Sequence, residues 1–378
     1  PQSPIPNPQS PIPIFIIYLY YKQNLLFIKK INVKKIKMTK RTKELSDNNI
    51  ILNKTEINSS ILSTGEYSSN DIFIKKYITN NEEPINKYIC TLKKENAEYS
   101  GMLNDKFERE GYGLEKYNNG DIYLGQFESD LRSENGIYYF NSEKNENDNI
   151  NNINIKAECY MGQWKNNLKN KYGIYIWLEE PENNFEYENA NFEAYVGEFE
   201  ENKYIRGSYL TKINNEYCIY HGNFTIEGKK NDNNAYFYSA KLNQVFHGEI
   251  KEDIFISGYL GSFDEDNDEV IELLFCQFNQ DGSVKDVIEE KDLKINEDDI
   301  KDEKKKIENF RDIILDTDYF GKIYGKFKKI KDKIEKLGDI GGILEKEENI
   351  GEIDKILNKF NKKNIYYNIE ENLFGHEI

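Results

Sequence analysis

Apolar and polar residues alternate in short runs through the middle of the chain, a pattern typical of β-strands. Each run opens with an aromatic residue, followed two positions later by a glycine and after two more by a bulky apolar residue, as in Tyr99-Gly101-Leu103. Because side chains two apart point to the same side of a strand, these three residues share one face. A second small residue and further aromatic residues follow, so each run predicts one β-hairpin.

This hairpin repeat continues to residue 263, and two polar insertions, 141–155 and 179–192, lengthen individual copies. We expect its glycines to be structural, because an aromatic ring of a neighbouring copy would lie flat over backbone where a Cβ would intrude. The residues that define the repeat are Tyr99, Gly101, Gly111, Gly113, Tyr123, Gly125, Phe127, Tyr160, Gly162, Trp164, Tyr195, Gly197, Phe199, Tyr220, Gly222, Phe224 and Gly248.

The repeat resembles the MORN family (membrane occupation and recognition nexus), with its best copy at residues 99–123 and clear copies over 99–263. The resemblance implies a mainly β fold, an elongated antiparallel sheet or β-solenoid of stacked hairpins in which each copy is stabilised by its neighbours. It also implies a scaffold that organises cytoskeletal or membrane-associated assemblies in eukaryotic cells, protists included.

The rest of the chain divides by composition. Residues 1–7 recur almost unchanged as 8–14, and a stretch rich in lysine follows an apolar patch. We interpret 1–37 as a non-native or disordered leader upstream of Met38; the alternative is a weak membrane anchor. The further segments are a disordered polar segment at 38–70, the repeat array at 71–283, a charged linker or helix at 284–309 and an α-helical tail at 310–378.

The tail carries an apolar stripe with helical spacing from Phe320 to Leu337, and a second short stripe from Ile350 to Phe360, which together predict a helical hairpin. The first helix has three possible roles: binding to a membrane or an acidic partner, self-association into a homodimer, and packing against its own chain. Acidic residues outnumber basic ones in 99–263, which favours the third. The candidate lipid- or partner-binding residues are Lys322, Lys326, Lys329 and Lys333.

Charge and composition narrow the class of protein. A formal net charge of -16 argues against a nucleic-acid partner, which requires a basic surface. Four cysteines without a CxxC pair indicate a reducing, cytoplasmic compartment. No phosphate-binding loop or nucleophile motif is present, so we expect no enzyme activity, no cofactor and no metal site.

Two histidines, His221 and His247, occupy the position between the opening aromatic residue and its glycine. In a strand that position faces away from the aromatic side. Stacked copies could align the two rings as a metal or proton site, but we expect exposed side chains with no such role.

The sequence therefore predicts a non-catalytic scaffold whose repeats bind other proteins in a cytoskeletal or membrane-associated assembly. The alternative is a phosphoinositide-binding or membrane-tethering protein that uses the repeats or the basic tail helix. Clustered basic residues would be needed for the alternative.

Overall fold

The computed structural model is mainly β, as the repeat predicts: among the described residues, successive antiparallel strands are followed by an α-helix. It describes residues 72–77, 87–94, 96–104, 108–141, 155–179, 191–213, 216–264 and 269–316. The tail hairpin and its lysines Lys322, Lys326, Lys329 and Lys333 lie outside the described residues, as do the leader and the polar segment before the array.

The described strands fall into two compact units, one on each side of residue 180 in the sequence. In the first, each strand pairs with the next in antiparallel order. Its strands are β1 (Ile72–Tyr77), β2 (Lys87–Lys94), β3 (Ala97–Leu103), β4 (Arg109–Tyr117), β5 (Ile122–Glu128), β6 (Leu131–Asn141), β7 (Ile155–Lys165) and β8 (Leu168–Glu179).

The second unit repeats this order and ends in a helix. Its strands are β9 (Asn191–Glu200), β10 (Lys203–Ile213), β11 (Glu216–Asn223), β12 (Asp232–Ser239), β13 (Gln244–Lys251), β14 (Ile254–Phe263), β15 (Val270–Phe278) and β16 (Val284–Glu289). A short 3-10 helix, Glu290–Asp292, precedes α1 (Glu297–Asp316). The segment expected as a charged linker or helix thus begins with a strand, and its helix extends beyond residue 309.

Glycines face one another across the strands of the first unit. The register places Gly101 opposite Gly113, Gly125 opposite Gly136, and Gly162 opposite Gly173, and these pairs are themselves adjacent. The ring of the opening tyrosine lies over each pair: Tyr99 over the first, Tyr123 over the second and Tyr160 over the third. The covering ring therefore comes from the same strand, two residues before the glycine, and not from a neighbouring copy as the sequence suggested.

The same tyrosines are fully buried, and each hydroxyl group has a fixed acceptor. The missing Cβ lets the ring lie along its own strand, so the hydroxyl reaches the carbonyl oxygen three residues ahead. The five bonds of this kind are Tyr99 to Met102 (2.8 Å), Tyr123 to Gln126 (2.9 Å), Tyr160 to Gln163 (2.8 Å), Tyr195 to Glu198 (2.8 Å) and Tyr220 to Asn223 (2.6 Å). They satisfy a buried polar group in each of these five copies.

Aromatic side chains connect successive copies. The ring of Tyr123 meets Phe127, four residues ahead, edge to face at 5.1 Å, and meets Trp164 of the next copy at 5.5 Å. In the second unit, Tyr195 makes the same pair of contacts with Phe199 at 5.0 Å and Phe224 at 5.4 Å. Such perpendicular contacts are a favourable geometry for aromatic pairs, and they explain why the bulky residue that closes each motif is so often aromatic.

Tight turns also link the copies. Both central residues have positive φ at Ser129-Asp130, Asn166-Asn167, Glu201-Asn202 and Glu252-Asp253, as in type I′ hairpins. The second turn residue then bonds to the preceding copy: the amide of Asp130 donates to the Arg109 carbonyl at 3.1 Å, and its carboxylate accepts from the Arg109 amide at 2.9 Å. The turns therefore fix the stacking of the hairpins as well as their register.

Replacing Gly162 by valine should destabilise the first unit. A Cβ there would lie 2.5 Å from the Cα of Gly173 and 2.6 Å from the Tyr160 hydroxyl oxygen. We expect a loss of about 2–4 kcal/mol in the free energy of unfolding, the cost of overpacking with strain. Urea denaturation followed by circular dichroism measures it, with the exposed strand position Lys165→Val as the matched control. Equal stability of the two variants would contradict the claim that packing of the tyrosine ring requires glycine at this position.

Candidate functional site

Inside the copies, an acid, a tyrosine and a basic residue form a recurring cluster. In the copy that opens at Tyr123, the hydroxyl of Tyr138 donates to Asp121 at 3.1 Å. The guanidinium carbon of Arg132 lies 5.2 Å from the Tyr138 ring centre and 4.9 Å from that of Trp164. Burial, aided by nearby charged and phenolic oxygens, holds the pKa of Tyr138 well above its usual value, so the phenol remains a hydrogen-bond donor.

The next copy contains an equivalent cluster: Tyr175 donates to Glu158, and the Lys169 amine lies 4.2 Å from the Tyr175 ring centre. In the copy that opens at Tyr195, Tyr209 donates to Glu193, but Tyr204 occupies the position of Lys169. The amine that lies 5.3 Å from the Tyr209 ring is that of Lys230, from the following copy. Because the lysine amine sits over an aromatic face, cation–π attraction offsets part of the cost of its burial.

Arg109 fills the same position in the copy that opens at Tyr99. Its guanidinium group contacts Glu115 at 2.9 Å and Asp130 at 3.1 Å, and lies 4.8 Å from the Phe127 ring centre. Arg109, Arg132, Lys169 and Lys230 are each at most 8% exposed. These basic side chains therefore serve the interior of the array and are not presented at its surface.

In the second unit, the face of the sheet opposite to the opening aromatic residues carries a row of polar and aromatic side chains. Cross-strand register places Ser208 beside His221, His221 beside Tyr236, Tyr236 beside His247, and His247 beside Tyr259. The rings of Tyr236 and His247 stack at 4.1 Å with an angle of 14° between their planes. The two histidines between opening aromatic and glycine thus lie in one continuous row with Ser208, Tyr236 and Tyr259.

Helix α1 lies across this row. Its Phe310 stacks on Tyr236 at 4.7 Å and reaches within 6.3 Å of the His221 ring. Phe310, Ile307 and Ile314 are almost completely buried. Their spacing of three and four residues places them on one face of the helix, and that face is the one that meets the sheet.

The prediction that both histidines are exposed is wrong. His221 is 0% and His247 is 6% exposed, because α1 covers the face on which they lie. The ring of His247 bonds through Nδ1 to the carboxylate of Glu303 on α1, and its Nε2 lies 2.7 Å from the amide oxygen of Asn234. The sequence does contain a signal for the docking of α1, because Glu303, Ile307, Phe310 and Ile314 follow one another at helical spacing. The many charged residues around them obscure this pattern.

Further polar contacts fix the position of the helix. The amide of Val270 donates to the Glu308 carboxylate at 2.9 Å. The guanidinium group of Arg311 donates to the Asn243 side-chain oxygen at 3.2 Å and lies 4.5 Å from the Phe263 ring centre. Ile307 lies against Gly261, where an added Cβ would come within 2.7 Å of it. The sheet therefore holds α1 through contacts to charged groups, contacts to aromatic rings and a complementary shape at Gly261.

One pair in the row has the residue types of a nucleophile and its base. The Ser208 hydroxyl lies 2.9 Å from Nδ1 of His221. Both residues are 0% exposed, whereas a nucleophile must share an open cleft with its substrate. The bond satisfies two buried polar groups beneath Phe310. Among the described residues, no group of three or more His, Cys, Asp or Glu side chains is placed to hold a metal ion.

The structure places the repeat-defining residues in the interior of the array, with the tyrosines over the glycine pairs and the closing aromatics beside them. Gly111 has a φ of 76°, a left-handed conformation that favours glycine. Phe224 is half-buried at the turn side of its copy. What sequence reasoning missed is the set of basic residues under the aromatic rings and the docking of α1.

The sequence matches no protein-family model and no curated protein. The resemblance to MORN repeats therefore rests on the motif residues. In the part of the chain that the structure describes, no helix is long and apolar enough to cross a membrane.

The buried amine of Lys169 should make stability depend on pH. Burial lowers the pKa of Lys169 to about 7, while Glu158 partly opposes the shift. Between that value and the ordinary lysine range, the unfolded chain binds more protons than the folded chain, so the free energy of unfolding rises with pH. The slope is at most about 1.4 kcal/mol per pH unit.

Urea denaturation from pH 7 to pH 10 measures this slope. We expect Lys169→Met to flatten the pH dependence relative to the wild type, and the exposed neighbour Lys171→Met to leave it unchanged. Parallel profiles for the wild type and Lys169→Met would show that the amine keeps its ordinary pKa in the fold.

Proposed function

We propose that this protein is a non-catalytic cytoplasmic scaffold whose hairpin array binds other proteins in a cytoskeletal or membrane-associated assembly. The observation that carries the proposal is the placement of the basic side chains. Arg109, Arg132, Lys169 and Lys230 are buried among aromatic rings. A surface that reads lipid phosphates needs such groups exposed and clustered.

Two exposed lysines of the second unit support the same choice. Lys229 pairs with Glu252 at 3.1 Å and Lys241 pairs with Glu216 at 2.6 Å. Each of these lysines lies beside a carboxylate, so neither contributes to a free positive patch. Mixed charge at these positions suits protein partners more than an anionic membrane.

The alternative, a phosphoinositide-binding or membrane-tethering protein, would depend on the tail lysines at positions 322, 326, 329 and 333. The two proposals assign the interaction to different parts of the chain. Variants that damage each part separately therefore distinguish them.

Proximity labelling of the full chain in its native cell provides the test. We expect Gly162→Val, which disrupts the array, to lose the protein neighbours that the wild type and Lys165→Val label. A variant with Lys322, Lys326, Lys329 and Lys333 changed to glutamate should keep them, and should sediment with phosphoinositide-containing vesicles no less than the wild type at physiological salt. Neighbours that survive Gly162→Val but disappear with the four tail substitutions would favour the membrane-tethering alternative.

A further inference from the structure

We propose that the face covered by α1 is a helix-binding groove, that α1 is its displaceable occupant, and that it accepts an acidic amphipathic helix of a partner protein. The groove is defined by Tyr236, Asn243, His247, Gly261 and the backbone amide of Val270. The inference rests on the proposed scaffold function and names the chemistry of one partner.

The groove recognises a specific order of side chains along a helix. His247 takes a carboxylate at the position of Glu303, and the Val270 amide takes another at the position of Glu308. Tyr236 takes an aromatic ring at the position of Phe310. These contacts describe a helix with one carboxylate a turn before an apolar stripe and a second carboxylate beside it.

Two further contacts sharpen this order. The absence of a Cβ at Gly261 admits a branched aliphatic side chain at the position of Ile307. Asn243 and the Phe263 ring accept a guanidinium group next to the aromatic residue, as Arg311 shows. Binding an amphipathic helix by anchors three and four residues apart is a general mode of peptide recognition.

The way α1 is held makes it displaceable. Of its 20 residues, three apolar side chains, Ile307, Phe310 and Ile314, are buried, and its first two turns are largely exposed and charged. Most of the stability of a helix in a protein comes from the tertiary packing of its apolar face. Release from the sheet would therefore melt α1, which makes it a local unit that opens more readily than the strands beneath it.

Helix α1 also leaves part of the polar and aromatic row of the sheet uncovered. Tyr259 and Phe275, which meet edge to face at 5.1 Å, are only half-buried. Burial and the carboxylates of Glu303 and Asp299 raise the pKa of Tyr259, which places the acidic start of α1 beside this end of the row. A partner helix with apolar residues there would bury aromatic surface that α1 leaves exposed, and would gain affinity from it.

A second copy of this chain has no such advantage. The α1 of a second copy would make the same contacts as the α1 of the chain itself. The chain's own α1 is tethered next to the groove by the short segment 290–296, and the ion pair between Lys304 and Glu290, at 2.8 Å, holds it further. Tethering gives the chain's own α1 a high effective concentration at the groove. An exchanged dimer is therefore an outcome that the experiment must be able to detect.

The test uses the full chain and a fluorescent peptide with the sequence of residues 297–316. The wild type should bind it weakly, since the groove is occupied, and the double variant Phe310→Ser, Ile314→Ser should bind it at least tenfold more tightly. Peptides with Glu303→Gln or Phe310→Ala should bind that variant less well. No binding of the unmodified peptide to the double variant would overturn the proposal.

A second measurement does not depend on that variant folding. Adding a cross-linked, pre-formed helix of the same sequence with Asp299→Leu to the wild type should speed hydrogen exchange in residues 297–316 and leave strands β11–β13 protected. Unchanged exchange at saturating peptide would overturn the proposal, and so would a concentration-dependent dimer in which α1 cross-links to the second copy. Both readouts report on the groove alone, so their failure is distinguishable from a failure of the scaffold proposal in proximity labelling.

Discussion

The fold depends on a ring lying flat over two glycines. In each clear copy of the first unit, the opening tyrosine covers its own glycine and the glycine opposite on the next strand. This close approach brings the hydroxyl to the carbonyl oxygen three residues ahead and turns the ring edge towards the closing aromatic residue. Sheet pairing, hydrogen bonding and aromatic packing thus follow from the absence of two Cβ atoms, since any side chain there would lift the ring.

Where the charges lie follows from the same arrangement. The second residue after the tight turns at 129–130 and 166–167 reaches back over the aromatic layer, so the basic residues there, Arg132 and Lys169, are buried over aromatic rings. An acid two positions before the opening tyrosine accepts from the tyrosine of the next strand, as Asp121 does from Tyr138. The array uses these buried charges to hold the copies together.

The sequence predicted the strands because the spacing of two between Tyr123, Gly125 and Phe127 is a direct consequence of the pleat. It could not say that the covering ring comes from the same strand, since either origin is compatible with that spacing. It also missed the docking of α1, because three apolar residues, Ile307, Phe310 and Ile314, are sparse among charged ones. The burial of His221 and His247 depends on that helix, so no local pattern around the histidines reveals it.

The most direct test is a double-mutant cycle between Gly173 and the ring that covers it. The three atoms nearest to a Cβ on Gly173 would all belong to Tyr160: Cε2 at 2.5 Å, the hydroxyl oxygen at 2.6 Å and Cζ at 2.8 Å. Leucine has none of these atoms. Urea denaturation should show that Gly173→Ala costs about 2 kcal/mol or more in the wild type and close to nothing in the Tyr160→Leu background. The same cost in both backgrounds would contradict the claim that the tyrosine ring is what requires the glycine.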